Sequence, residues 1–180
     1  MYHTIKQIAL DWDSYLKLNK NRNILFCFLV LFHNPGMFFS LLYRVERYLI
    51  IHKSIMFKLV GYLLFPVYFL TTYFILDIDI DPRVEIGGGL YLHNKGIVIA
   101  HTAKVGKFAH IVGPVTIGTK SVEDSRSPKI GDRVTIGTGA RIIGGINIGN
   151  EVTVGANAVV VNDVPNNCTV VGVPARIVKR

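Results

Sequence analysis

Asp79 and His93 stand fourteen residues apart in the stretch "DIDIDPRVEIGGGLYLH". A carboxylate that holds an imidazole in one tautomer leaves the second ring nitrogen free to take a proton from a hydroxyl. That is what a general base requires. Two more histidines, His101 and His110, follow shortly after. A lone histidine is by default a solvated or satisfied side chain. His93 is set apart by its place, directly after the apolar Leu92 and beside a slip of one residue in an otherwise regular pattern.

That pattern is the frame that must hold these groups. Aliphatic residues recur every sixth position at Ile80, Ile86 and Leu92, resume after one extra residue at Ile99, Val105, Ile111 and Ile117, and resume again from Ile130 through Ile136, Ile142, Ile148 and Val154 to Val160. Four residues after each of the later ones comes another small or branched apolar residue: Val134, Ala140, Ile146, Val152, Ala158 and Val164. A period of six is neither helical nor the alternation of a half-buried strand. It is the repeat of a parallel β-helix, in which three hexapeptides make one triangular coil of about eighteen residues. Successive coils satisfy one another's backbone groups about 4.8 Å apart. On such a coil Asp79 and His93 fall near a common corner, one rung apart. The gap between Ile117 and Ile130 has no interior pattern and predicts a loop at 119–129, where a rigid scaffold would carry a site.

Composition changes near Asp77 and divides the chain into residues 1–76 and 77–180. The first part reads as an apolar α-helical segment. The run from Ile24 to Tyr43 carries no charge and is broken by Pro35 and Gly36, and the run from Leu59 to Leu76 is again uncharged, with Pro66 inside it. Each run is as long as a membrane span, but the leading reading is a pair of helices buried in an oligomer or lying on the bilayer. Arg44, Glu46, Arg47, His52, Lys53 and Lys58 lie between the runs and read as a solvated elbow or a basic face toward anionic lipid.

The net charge of +8 is spread without a block of like sign and without interleaved aromatic and basic residues, so nucleic acid is not the expected partner. A membrane surface or an anionic small ligand suits it better. Cys27 and Cys168 make neither a disulfide framework nor a metal spacing, and residues 1–22 lack a secretory core, which predicts a cytoplasmic protein.

The second part resembles the serine acetyltransferases and their relatives among bacterial polysaccharide O-acetyltransferases, of the hexapeptide-repeat class. The resemblance rests on "DIDP" where the family reads D-I-H-P, on "LHNKGIVI" for L-D-H-A-T-G-I-V, on "SPKIGDRVTIGTGARIIGGINIG" for H-P-K-I with the same continuation, and on the closing "VVGVPARIV". It implies a left-handed β-helix, acetyl-CoA as co-substrate, no metal, and a homotrimer with the coenzyme in the groove between subunits. It implies His93 as the catalytic base and Asp79 as its partner carboxylate. Gly118, Thr119, Thr138 and Ala156 resemble the small residues along the pantetheine arm, and Arg176, Lys179 and Arg180 would meet the nucleotide phosphates.

The departures bear on the acceptor. Ser127, preceded by Arg126, stands where the family has a histidine that helps hold serine, and His101 replaces a glutamate. With the short apolar N-terminus, this points to O-acetylation of a sugar hydroxyl in surface-polysaccharide biosynthesis at the inner face of the cell membrane, with His101, Arg126 and Ser127 at the acceptor. The alternative is a serine O-acetyltransferase of cysteine biosynthesis. A metal-dependent hydratase using His93, His101 and His110 lacks the histidine pair five apart that such sites use. A non-catalytic membrane scaffold would leave His93 without a role.

Overall fold

Each hexapeptide folds into one short strand and one corner, and three of them close a coil whose repeating aliphatic residues point inward. The computed structural model describes residues 2–18, 34–121 and 123–179. The first face of the prism carries β1 (Ile78–Ile80), β4 (Ile97–Ile99), β7 (Val115–Gly118), β10 (Arg141–Ile143) and β13 (Val159–Val160). The second carries β2 (Glu85–Ile86), β5 (Lys104–Val105), β8 (Lys129–Ile130) and β11 (Asn147–Ile148). The third carries β3 (Tyr91–His93), β6 (His110–Val112), β9 (Thr135–Ile136), β12 (Thr153–Val154) and β14 (Thr169–Gly172). A final strand, β15 (Ala175–Lys179), turns back antiparallel on β14.

Register turns the period of six into three buried columns. Ile80, Ile99, Ile117, Ile142 and Val160 stack on the first face. Ile86, Val105, Ile130, Ile148 and Val164 stack on the second, and Leu92, Ile111, Ile136, Val154 and Val170 on the third. The extra residue between Leu92 and Ile99 is absorbed at the corner after His93, where Asn94 and Gly96 both take positive φ, 66° and 76°. A Cβ on Gly96 would also come within 2.9 Å of the Pro114 ring, so only glycine fits there. The coil between β7 and β8 is seven residues longer than the repeat requires; the described residues from Thr119 to Pro128 form no strand, and Lys129 of the expected loop already belongs to β8.

Ahead of the prism lie, among the described residues, three helices: α1 (Tyr2–Leu18), α2 (Pro35–Ile51) and α3 (Ile55–Phe69), the last continued by a π-helical turn, Leu70–Ile75. Asn34 caps α2 by accepting a hydrogen bond from the Gly36 amide at 3.2 Å, with Pro35 at the first helical position. Pro35 therefore starts a helix. Ile24–His33 of the expected apolar run lie outside the described residues. Pro66 does not interrupt α3, which begins earlier than the run read from the sequence.

The reading of Arg44, Glu46 and Arg47 as a solvated elbow is corrected. Arg44 is 1% exposed and Glu46 4%. The helices close the open end of the β-helix, whose first coil has no preceding coil to pair with. Tyr68 donates to the Ile80 carbonyl at 2.7 Å, Tyr43 to Val84, and Arg47 to Pro82, Arg83 and Val84. Arg44 donates to Ile86 and Gly87 at 2.7 and 2.6 Å, while Asp11 accepts from the amides of Gly89 and Leu90 at 2.7 and 2.9 Å. The Tyr15 hydroxyl bonds both the amide and the carbonyl of Leu92. An exposed edge of unpaired backbone groups would template association. The described residues of the first part, 2–18 and 34–76, cover it, so they are first of all a terminal cap.

Candidate functional site

His93 is the last residue of β3 and is exposed at the edge where the third face turns into the first. Alternation along the strand puts Tyr91 on the same side, and its ring lies parallel to the imidazole within 8° at 6.2 Å. Tyr91 is held in turn by Tyr15 of α1, centroids 4.6 Å apart, and by the edge-on ring of His110 on the neighbouring strand at 4.7 Å. Burial, and then the proximity of His93, push the His110 imidazole below its ordinary pKa. The candidate base thus stands in an aromatic cluster anchored through Tyr15 to the cap.

The same edge runs down the prism as a row of small residues. The Gly113 amide donates to the His93 carbonyl at 2.7 Å, and Thr138 Oγ1 donates to the Gly113 carbonyl at 2.9 Å. The Asn157 amide, next to Ala156, donates to the Thr138 carbonyl at 2.8 Å. His93, Thr138 and Ala156 therefore line one edge, with Thr138 and Ala156 exposed.

Asp79 is placed differently from the common corner expected of it. It sits in mid-strand on the first face, exposed, opposite Val98, and no hydrogen bond joins it to His93 among the described residues. The acid at the corner itself is Asp77, at φ 54°, whose carbonyl accepts from the amides of Gly96 and Ile97. The one-residue slip was the signal that could have pointed to Asp77, and the i, i+2 spacing on one strand the signal for Tyr91.

Gly118, Thr119, His101, Arg126 and Ser127 lie along the edge between the first and second faces. Gly118 ends β7, its carbonyl accepts from the Gly144 amide at 2.9 Å, and Thr119 follows it. Ser127 is buried, its Oγ 2.6 Å from Thr102 Oγ1, so the hydroxyl at the place of the family's histidine is engaged by the corner between β4 and β5. Arg126 is exposed and forms a two-pronged pair with Asp124 at 2.8 and 2.9 Å, which holds that carboxyl down at about 2. His101 is exposed and close enough to Asp81 to help lower its pKa, after the larger effect of Arg83. Arg176 is exposed on β15 at the far end of the third face, the Lys179 backbone pairs with Thr169, and Arg180 lies outside the described residues. Among the described residues no cluster of three or more His, Cys, Asp or Glu side chains could hold a metal ion.

A single protomer thus presents two half-sites: an imidazole with a small-residue row on one edge, and a loop with Gly118 and Thr119 on the next. The first face, bearing Asp79, lies between them.

No protein-family model matches the chain. Over 140 residues it is 39% identical to the serine acetyltransferase of Staphylococcus xylosus, a match covering 77% of this chain and 64% of that protein. Its structure superposes on Neisseria gonorrhoeae serine acetyltransferase in complex with serine with a TM-score of 0.81 and 33% identity, over 98% of this chain and 69% of that one. A serine acetyltransferase in complex with CoA superposes with a TM-score of 0.79 and 31% identity, over 97% and 69% of the two chains. The chain spans 43 to 64% of the length of the first curated relatives it matches.

Proposed function

The chain belongs to the serine acetyltransferase-like hexapeptide-repeat family, and from that membership we propose that it transfers an acetyl group from acetyl-CoA to a hydroxyl, with L-serine as the preferred acceptor. What carries the reading is the fit of nearly the whole chain, cap helices included, to serine acetyltransferases bound to serine and to CoA. It is supported by an exposed His93 at the head of a row of small residues.

In the proposed reaction, the free nitrogen of His93 removes the proton of the acceptor hydroxyl as its oxygen attacks the thioester carbonyl carbon. The tetrahedral intermediate collapses by breaking the carbon–sulfur bond, and the imidazolium returns its proton to the leaving thiolate. An O-acetyl ester and free CoA are the products, and His93 ends neutral. Asp79 or Asp77 would stabilise the imidazolium across the corner. Thr138, Ala156, Gly118 and Thr119 would line the pantetheine arm, whose slender, extended shape suits a slot without large side chains. Because the two half-sites lie on different edges, the complete groove is proposed to form between neighbouring subunits of a homotrimer. The reaction is proposed to run in the cytoplasm.

The sequence put a sugar acceptor first. The names of the relatives reverse that order, and free serine, the alternative there, now leads. The sugar remains the second reading on one observation: Ser127, already engaged by Thr102, offers no imidazole to grip an amino acid. Thiol release from acetyl-CoA, measured with L-serine and with simple sugars as acceptors, decides between them. Turnover with serine alone supports the first reading; turnover with sugars alone supports the second; none with either, or with a wider hydroxyl panel, sinks both.

A further inference from the structure

The Ile55–Ile75 helix shows a face that neither the cap nor the catalytic reading uses. Over its 21 residues the only charge is Lys58. One side is tied down, through the Tyr68 hydroxyl on Ile80 and through Gly61, which would admit no Cβ without coming within 3.0 Å of Leu49. The other side exposes Ile55, Leu59, Leu63, Val67, Leu70 and Phe74, with Leu63 77% and Phe74 69% open to solvent. A contiguous apolar surface of this length far exceeds the scattered apolar residues of an ordinary protein surface.

We propose that this outward face lies in an anionic lipid bilayer, parallel to its surface, with the β-helix on the cytoplasmic side. Charge selects lipid as the occupant. Between Glu46 and Asp77 the chain holds no acidic residue but carries Arg47, Lys53 and Lys58, with Lys53 exposed at the elbow. At the other end Lys95 Nζ donates to the Ile75 carbonyl at 3.2 Å, placing a cation at the helix C-terminus. The acids nearest that end are Asp77 and Asp79, together with Asp81, which is paired with Arg83. An apolar stripe flanked by cations, with exposed tyrosines Tyr62 and Tyr73 among its aliphatic residues, has the composition of an interfacial helix. Its inner side is anchored, through Tyr68 to the prism and through Gly61 to α2, so the helix offers a bilayer one long outward face. Lys95 is two residues from His93, at the same corner of the prism. This inference goes beyond the proposed reaction and does not need it.

The test is flotation of the purified full chain, brought out of mild detergent, with vesicles of phosphatidylcholine alone or mixed with phosphatidylglycerol. The chain should float with both and more strongly with the anionic mixture. Leu63→Ser with Phe74→Ser, both outward and so neutral to folding, should weaken binding at least tenfold, on the order expected for losing two buried apolar side chains. Lys53→Gln with Lys58→Gln should remove the preference for the anionic mixture, about tenfold or more. Circular dichroism checks that each variant is folded. Failure of the folded wild type to float overturns the proposal. So does a Leu63→Ser, Phe74→Ser pair that splits a lipid-free oligomer while leaving flotation intact, because the face would then belong to a second copy of the chain.

Discussion

At the scale of single residues, His93 is asked to move a proton and nothing else. His93→Ala should therefore lower acetyl transfer by about two to four orders of magnitude while acetyl-CoA binding, read by calorimetry, stays close to that of the wild type. Equal turnover of the two proteins would remove the mechanism. Asp77→Asn and Asp79→Asn should each cost less, and the larger loss identifies which acid faces the imidazole. His110 makes a separate prediction about stability. Its folded pKa is depressed, chiefly by burial, so the unfolded chain takes up a proton near the ordinary value of 6.5 before the folded chain does. Stability from this group is present above about pH 6.5 and is lost as the pH falls through that value toward the folded one. Thermal melting of His110→Gln should show a flatter decline on acidification than the wild type; parallel curves would mean that the burial seen here has no thermodynamic weight.

At the scale of elements, the cap is the strongest claim. Asp11 neutralises Arg44 at 2.9 Å and also accepts the amides of Gly89 and Leu90, so Asp11→Ala strands a buried cation and two backbone donors together. The expected cost is about 3–5 kcal/mol, read as a shift of the denaturation midpoint. Deleting residues 1–76 should do more and leave a β-helix that aggregates through its bared first coil, so folded and monodisperse residues 77–180 would contradict the capping role. Little of this was legible in the sequence. The prism was, because a strict period of six leaves only one arrangement of the interior, and every column from Ile80 to Val160 falls where the spacing put it. The cap was hidden because its work is done by polar side chains reaching backbone groups of another element. Arg44, Asp11, Tyr43 and Tyr68 carry no pattern that distinguishes a buried hook from a solvated charge. The site was half legible for the same reason. His93 stood out beside the slip in the repeat, whereas its aromatic support from Tyr91 and Tyr15 depends on how α1 lies over β3.

At the scale of the whole molecule, the separation of the two half-sites is the observation with the most consequence. Within one protomer, His93, Thr138 and Ala156 share an edge, and Gly118, Thr119 and the loop share the next, and we propose that the ligand is held between the imidazole edge of one copy and the loop edge of another. In the proposed closed ring of three, each groove would take its imidazole edge from one subunit and its loop edge from the neighbour. This can be read by complementation. His93→Ala disables the first edge, and Gly118→Leu fills the slot at the second; a Cβ there meets nothing nearer than 3.9 Å, so the protomer itself should fold. Each variant alone should be inactive. In a co-expressed equal mixture, a groove works only when an intact imidazole edge from the Gly118→Leu subunit faces an intact loop edge from the His93→Ala subunit, which random assembly of a ring gives in about one groove in four. Thiol release from acetyl-CoA should accordingly return to about a quarter of the wild-type rate per groove. A mixture as inactive as its parents, in particles shown to contain both chains, would place the whole site within one protomer and leave the ring without a catalytic role.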